Sequence, residues 1–213
     1  MNDVAFADKL EQMVTLQLEA RGIGDARVLA AMRAVPRHEF VSGELRDRAY
    51  DDCALPLGVA GATISQPIVV AWMLEALGVR ESDRALEVGA GSGYAAALLG
   101  RLAREVFALE RDAELARAAR ERLAALDAGN VVVASGDGSA GWAAHAPFDA
   151  ILVSAAAPSV PDALVAQLAP GGRLVLPVGA PGQQTLVRIA RGRDGALDRR
   201  ELGAVQFVPL VTG

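Results

Sequence analysis

Leu86-Glu87-Val88-Gly89-Ala90-Gly91-Ser92-Gly93-Tyr94 decides the fold. The apolar run 85–88 reads as a short strand, three glycines follow on alternate positions, and the alanine-rich run 95–102 reads as a helix. A strand that turns through glycines straight into a helix leaves bare backbone for a ligand to lie against. A dinucleotide loop, G-x-G-x-x-G, seats a pyrophosphate in this way. Here the third glycine comes one position early, and Tyr94 fills the place of the dinucleotide glycine. Glu87, just before the loop, would repel a pyrophosphate but suits a cationic or hydroxyl-rich ligand.

Downstream of the loop, strands and helices alternate. Strand 106–110 precedes helix 113–126, whose Leu115, Ala119, Leu123 and Leu126 form an apolar stripe. Strand 131–134 leads to Gly136-Asp137-Gly138. Strand 150–154 precedes a helix at 161–167, and strand 173–178 follows the turn Pro170-Gly171-Gly172. This alternation predicts an α/β fold with a doubly wound, mostly parallel Rossmann-like sheet. The runs 185–190 and 206–210 have no helix between them, so they are expected to pair antiparallel at the sheet edge, with 191–200 as their turn.

Upstream, residues 4–21 read as an amphipathic helix with Phe6, Leu10, Met13 and Val14 on one face. Gly22 and Gly24 end it, and Asp25 suits the N-cap of a second helix reaching Ala34, where Pro36 stops it. Pro67 is placed to open a third helix to Leu77, with Val69, Trp72 and Ala76 expected inward. The whole is expected to be one domain over 1–213: a helical part at 1–80, a cofactor-binding core at 84–190 and a strand segment at 191–213.

A chain of 213 residues with 52% hydrophobic content can build a large single core. Its net charge of −5 argues against a non-specific nucleic-acid binder, which requires a basic field. Cys53 is the single cysteine, so no internal disulfide can form and an ordinary free thiol in a reducing compartment is expected. The acidic N-terminus lacks the pattern of a secretory signal, and no apolar run reaches the roughly 18 residues of a membrane helix. A soluble cytoplasmic protein, not membrane-bound, is the expectation.

In a doubly wound sheet, ligands sit beyond the carboxyl ends of the strands. Gly89, Gly91 and Gly93 follow the first strand. Glu110 ends the second, about twenty residues on, where an acid can accept both ribose hydroxyls. Asp137, between glycines after the third strand, could reach an adenine amino group. Small residues from Ser154 to Ala157 follow the fourth strand and leave room. Singly, these read as a turn, a solvated strand end and a turn aspartate. Together, at successive strand ends, they fit one adenosine, with no second glycine loop for another nucleotide half. S-adenosylmethionine therefore fits better than NAD. No Walker phosphate loop and no G-x-S-x-G elbow occur. His38 and His145 lie far apart and Cys53 has no partner cysteine, so a metal site is not expected. Both histidines read as surface or packing residues, and Trp72 and Trp142 as core.

The order Val35-Pro36-Arg37-His38, Leu55-Pro56-Leu57-Gly58, Thr63-Ile64-Ser65-Gln66-Pro67, the glycine loop, Gly136-Asp137-Gly138, Ala146-Pro147-Phe148-Asp149, Pro170-Gly171-Gly172-Arg173-Leu174 and Phe207-Val208-Pro209-Leu210 resembles the protein-L-isoaspartate (D-aspartate) O-methyltransferase family over nearly the whole chain. The glycine loop is common to S-adenosylmethionine methyltransferases. The Thr63 to Pro67 segment and the Val-Pro-Leu ending are more specific. The resemblance implies repair: methylation of the free α-carboxylate of isoaspartyl residues in damaged proteins, with S-adenosyl-L-homocysteine as the other product. It implies a catalytic role for Ser65, orienting rather than attacking. It also implies cofactor contacts from Ala62, Thr63, Ile64, Ser65, Glu87, Glu110, Asp137 and Gly138 beside the loop glycines. Isoaspartyl peptides and proteins would be the partners, and a monomer would suffice. Ile68 stands where many bacterial members carry tyrosine. Two other readings use the same scaffold: a carboxylate methyltransferase for a dedicated peptide, against which the lack of an added recognition domain counts, and a non-catalytic cofactor-binding paralogue, against which Ser65, Glu110 and Asp137 count.

Overall fold

The computed structural model describes residues 3–59 and 61–212. The chain opens with helix α1 (Asp3–Gln12), which runs on through a π-helical turn at Met13–Leu18 and a 3₁₀ turn at Glu19–Arg21. Phe6, Met13, Val14 and Leu18 are buried, and Gly22 ends the run in the left-handed region at φ 97°. Helix α2 (Ala26–Ala34) is capped as expected: the Asp25 carboxylate accepts from the N–H groups of Arg27 and Val28.

A two-residue hairpin follows, β1 (Leu55–Pro56) against β2 (Thr63–Ile64), which interrupts the helical N-terminal part. Helix α3 (Pro67–Leu77) starts at its proline and stops at Gly78. Its inward face differs from the expectation. Val70, Ala71, Met73, Leu74 and Leu77 are buried, whereas Val69, Trp72 and Ala76 are only partly so. Ten of its eleven residues are apolar, so the helix carries no polar stripe from which its rotation could be read.

The remaining elements are β3 (Arg84–Val88), α4 (Tyr94–Leu102), β4 (Glu105–Glu110), α5 (Ala113–Ala125), β5 (Val131–Ser135), β6 (Phe148–Val153), α6 (Asp162–Ala166), β7 (Leu168–Val178), β8 (Gln184–Arg191) and β9 (Leu197–Val205). They build a sheet in the order β5-β4-β3-β6-β7-β8-β9. Strands β3 to β7 are parallel, and β8 and β9 add antiparallel. The order reverses between β3 and β6, the switch point at which such sheets bind ligands.

Two strand expectations change. The edge strand is Leu197–Val205, not 206–210, and the turn shrinks to 192–196. This edge strand reads Leu-Asp-Arg-Arg-Glu-Leu-Gly-Ala-Val and is largely exposed, so it shows no apolar alternation; backbone pairing with β8 makes it a strand. Strand β7 begins at Leu168 and carries Pro170-Gly171-Gly172 within it, where its pairing with β6 slips in register.

The N-terminal helices and one face of the sheet share a continuous core that includes Met32, Phe40, Leu74, Tyr94 and Val106. Tyr94 explains its place in the loop sequence. It is buried, its ring lies 5.0 Å from the guanidinium carbon of the buried Arg37, and its hydroxyl meets Met32 Sδ at 3.7 Å. The residue that breaks the dinucleotide pattern thus locks the N-terminal layer onto α4.

Candidate active site

The loop after β3 is fixed by backbone. The N–H groups of Gly89 and Ala90 both donate to Leu109 O, at 2.8 and 3.0 Å. Gly93 stands at φ 88° as the N-cap of α4, and a Cβ there would lie 3.1 Å from the Ala119 Cβ. Gly93 therefore serves turn geometry and the approach of α4 to α5. It does not border the cavities below.

Glu110, at the end of β4, is 9% exposed, with Oε2 accepting from Gly91 N–H at 2.7 Å and Oε1 from Asp112 N–H at 2.9 Å. Both oxygens are thus oriented before any ligand arrives, and each retains acceptor capacity. A cavity of about 590 Å³ opens over these strand ends. Ala62, Thr63, Gly89, Gly91, Glu110 and Gly138 line it, together with Ser154 and residues 208–211. At Gly138 a Cβ would lie 2.5 Å from Val88 Cγ1, so only glycine leaves that floor undisturbed. Asp137 is adjacent and caps its own turn, Oδ1 accepting from Ser139 N–H at 2.8 Å; it is not part of the cavity lining.

A second cavity, of about 780 Å³, meets the first at Thr63 of the β1–β2 hairpin. Ser65, Gln66, Ile68, Val69, Trp72 and Phe207 form its walls. At its rim Arg21 Nη1 pairs with Asp52 Oδ2 at 2.7 Å, and Gln66 Nε2 donates to Asp52 Oδ1 at 2.8 Å. A narrow cavity of about 40 Å³ lies between the two, bordered by Thr63, Ile64, Ser65 and Glu87. Thr63 and Ser154 border all three spaces.

Glu87 is the electrostatic anomaly. It is 1% exposed; Oε1 accepts from the Ser154 hydroxyl at 3.2 Å, and Oε2 is buried with no hydrogen-bond partner. Burial pushes its carboxyl up to about 8, with the nearby Glu110 carboxylate adding to the effect. An unpartnered buried acid beside a confined space favours a cationic ligand, whose charge would take the place of the carboxyl proton. Binding such a cation should expel the proton. Calorimetry at pH 7 in two buffers of different ionisation heat should therefore show release of about one proton, with affinity rising as pH climbs towards 8 and flattening above it. Glu87→Gln should abolish the release, and an unchanged proton count in that variant would sink the assignment. The same shift makes the ligand-free fold lose stability as pH rises from 4.5 to about 8, because the unfolded carboxyl ionises first.

The structure changes the reading of several lining residues. Trp72 is only partly buried: it packs against the core and also forms a cavity wall. Residues 208–211 border the first cavity as an irregular strap, not as a strand. Both histidines pack: His38 stacks on Phe6 at 4.0 Å and bonds the Tyr50 hydroxyl through Nδ1 at 2.7 Å, and His145 stacks on Phe107 at 4.2 Å. Among the described residues no cluster of three or more His, Cys, Asp or Glu could hold a metal.

A family model described as protein-L-isoaspartate (D-aspartate) O-methyltransferase matches residues 9–213. The chain belongs to that family. Two family relatives of the same name, from Methylorubrum extorquens and Methylorubrum populi, are 59% and 55% identical to it. The first alignment spans 97% of this chain and 90% of the relative, the second 100% and 98%. A solved protein-L-isoaspartate O-methyltransferase superposes with a TM-score of 0.86 at 27% identity, over 96% of this chain and 66% of that one. A Plasmodium falciparum chain described as the same enzyme, in complex with S-adenosyl-L-homocysteine, gives 0.80 at 26% identity, over 96% and 97%. This member of the family is an S-adenosylmethionine-dependent methyltransferase with the family's mostly parallel sheet and antiparallel end.

Proposed function

We propose that this enzyme methylates the free α-carboxylate of L-isoaspartyl residues, with the 590 Å³ cavity holding the methyl donor and the 780 Å³ cavity the damaged peptide. The observation that carries this division is that the two cavities share Thr63, Ser154 and Val208, while the features suited to an adenosine lie on one side only and Ser65 on the other.

S-adenosylmethionine supplies a methyl group on a sulfonium, whose transfer to a carboxylate requires no proton removal. The acceptor carboxylate is already ionised at pH 7, which agrees with the absence of histidine from the walls of both cavities among the described residues. The protein's task is alignment and exclusion of water. Glu110 receives the ribose hydroxyls, Glu87 reaches the cationic end from the narrow cavity, Gly138 floors the adenine side, and Asp137 shapes the turn behind Gly138. The glycines at 89 and 91 let the ligand approach the backbone, and residues 62–65, held on the β1–β2 hairpin, border the junction. Ser65 lines the acceptor cavity and the narrow cavity, so its hydroxyl is placed to donate to the acceptor carboxylate. Ser65→Ala should lower kcat by about 10- to 100-fold, the loss of one hydrogen bond to a charged group. The donor Kd should stay near wild type by calorimetry; unchanged turnover would remove Ser65 from the machinery.

The decisive assay compares an isoaspartyl peptide with its aspartyl twin. Methylation of the isoaspartyl form alone supports repair, and equal or absent methylation of both overturns it. Among the described residues no helix is long and apolar enough to cross a membrane. We place the enzyme in the cytoplasm as a monomer that acts on proteins rather than nucleic acid, in line with its −5 charge. Residues 1–213 are taken as one working unit because the N-terminal helices and the sheet share a core.

A further inference from the structure

The strap at 206–211 is held by one side chain that no strand pattern requires. Gln184 opens β8 and is 4% exposed. Its backbone pairs with Val205, the last residue of β9. Its side chain continues the ladder beyond that point: Nε2 donates to Phe207 O at 3.0 Å, and Phe207 N–H donates to Oε1 at 2.6 Å. This reciprocal pair satisfies the buried amide in the way a neighbouring strand would satisfy a backbone group. One residue further, Ala156 N–H donates to Val208 O at 2.8 Å, and Leu210 N–H returns to Ala156 O at 2.7 Å. Phe207 borders the acceptor cavity, Leu210 the donor cavity, and Val208 both.

We propose that Gln184 is a positioning residue that latches the strap at Phe207, so that Val208 stays the common wall between methyl donor and acceptor peptide. The side chain borders neither cavity and acts through Phe207. A buried amide at this point is costly unless both its ends are bonded. An apolar residue could fill the same space, and the reciprocal bonds to the strap are what glutamine adds. The proposal rests on the acceptor assignment made above.

Gln184→Met keeps the volume and removes both bonds. The expected result is a KM for an isoaspartyl peptide raised about tenfold, the loss of one to two net hydrogen bonds, with a smaller rise in donor Kd and kcat changed less than KM. A purely structural role would lower the active fraction, and with it kcat, at unchanged KM. Unaltered KM in a folded Gln184→Met enzyme overturns the proposal. Failure of the wild-type enzyme to methylate the peptide would instead overturn the assignment of the substrate. Hydrogen exchange supplies a second test that does not depend on turnover. In the wild type the Phe207 amide should exchange slowly, and in Gln184→Met it should exchange fast while amides of β6 are unaffected. Exchange of the wild-type Phe207 amide at the rate of an open coil overturns the latch.

Discussion

Glu110→Ala is expected to weaken binding of the methyl donor about 100-fold, equivalent to roughly 3 kcal/mol. Two losses add. The ribose loses a charged acceptor, and hydrogen bonds to charged groups are the stronger kind. The glycine loop also loses its tether, since the Glu110 carboxylate holds the N–H of Gly91 on one side and of Asp112 on the other. Without it the loop must be ordered by the ligand, at a cost taken from affinity. Glu110→Gln should fall between wild type and alanine, because its oxygen can serve one N–H while its NH₂ faces the other. Calorimetric titration decides. An alanine variant within threefold of the wild-type Kd would show that the ribose lies elsewhere.

The largest expected effect on stability is at the opposite end of the parallel strands, where β3 and β6 begin. Arg173 in β7 is 4% exposed and Asp83 is 3% exposed, and their Nη2 and Oδ2 atoms are 2.6 Å apart. The guanidinium also donates to the carbonyls of Leu77, Gly78 and Asp149, tying the end of α3 to the starts of β3 and β6. Asp83 Oδ2 in turn accepts from Arg80 N–H at 2.8 Å. Arg173→Met leaves the aspartate buried without its cation and takes a donor from three carbonyls. A loss of about 3–5 kcal/mol is expected, a large part of the ~5–15 kcal/mol that holds a typical domain together. For a chain of this length that corresponds to a fall in Tm of roughly 10 °C. Urea denaturation of the single variant checks the magnitude. Adding Asp83→Asn should restore part of the loss by removing the stranded charge. A single variant within about 1 kcal/mol of wild type would mean that water already serves the aspartate.

The parallel sheet and its ligand end were legible because buried strands and the helices over them carry strong local signals. The runs at 106–109 and 150–153 are continuously apolar, 85–88 is broken only by Glu87, Asp25 caps its helix, and the glycines at 89, 91 and 93 mark the turn. Glu110 and Gly138 could be placed for the same reason, since strand ends in such a sheet converge on one edge. The rotation of α3 was not legible. An apolar helix between core and cavity shows no phase, and so Trp72 reads as core when it forms a wall. Strand β9 was missed because an exposed edge strand needs backbone partners and not hydrophobic alternation.

What the sequence by itself determined is the fold class, the donor loop and the family, all of which rest on residues close together in the chain or on motif order. What only the tertiary structure decided depends on contacts across long separations. Glu87 becomes a buried, unpartnered acid only when Ser154, 67 residues away, and the hairpin close over it. Residues 206–211 become the wall between two cavities only because Gln184 and Ala156 hold them there. Tyr94 turns from a broken glycine pattern into a lock on α4 only when Arg37 and Met32 pack against it. Periodicity and motifs report local preference; burial and hydrogen-bond partnership belong to the assembled chain, and those two quantities set the chemistry of this site.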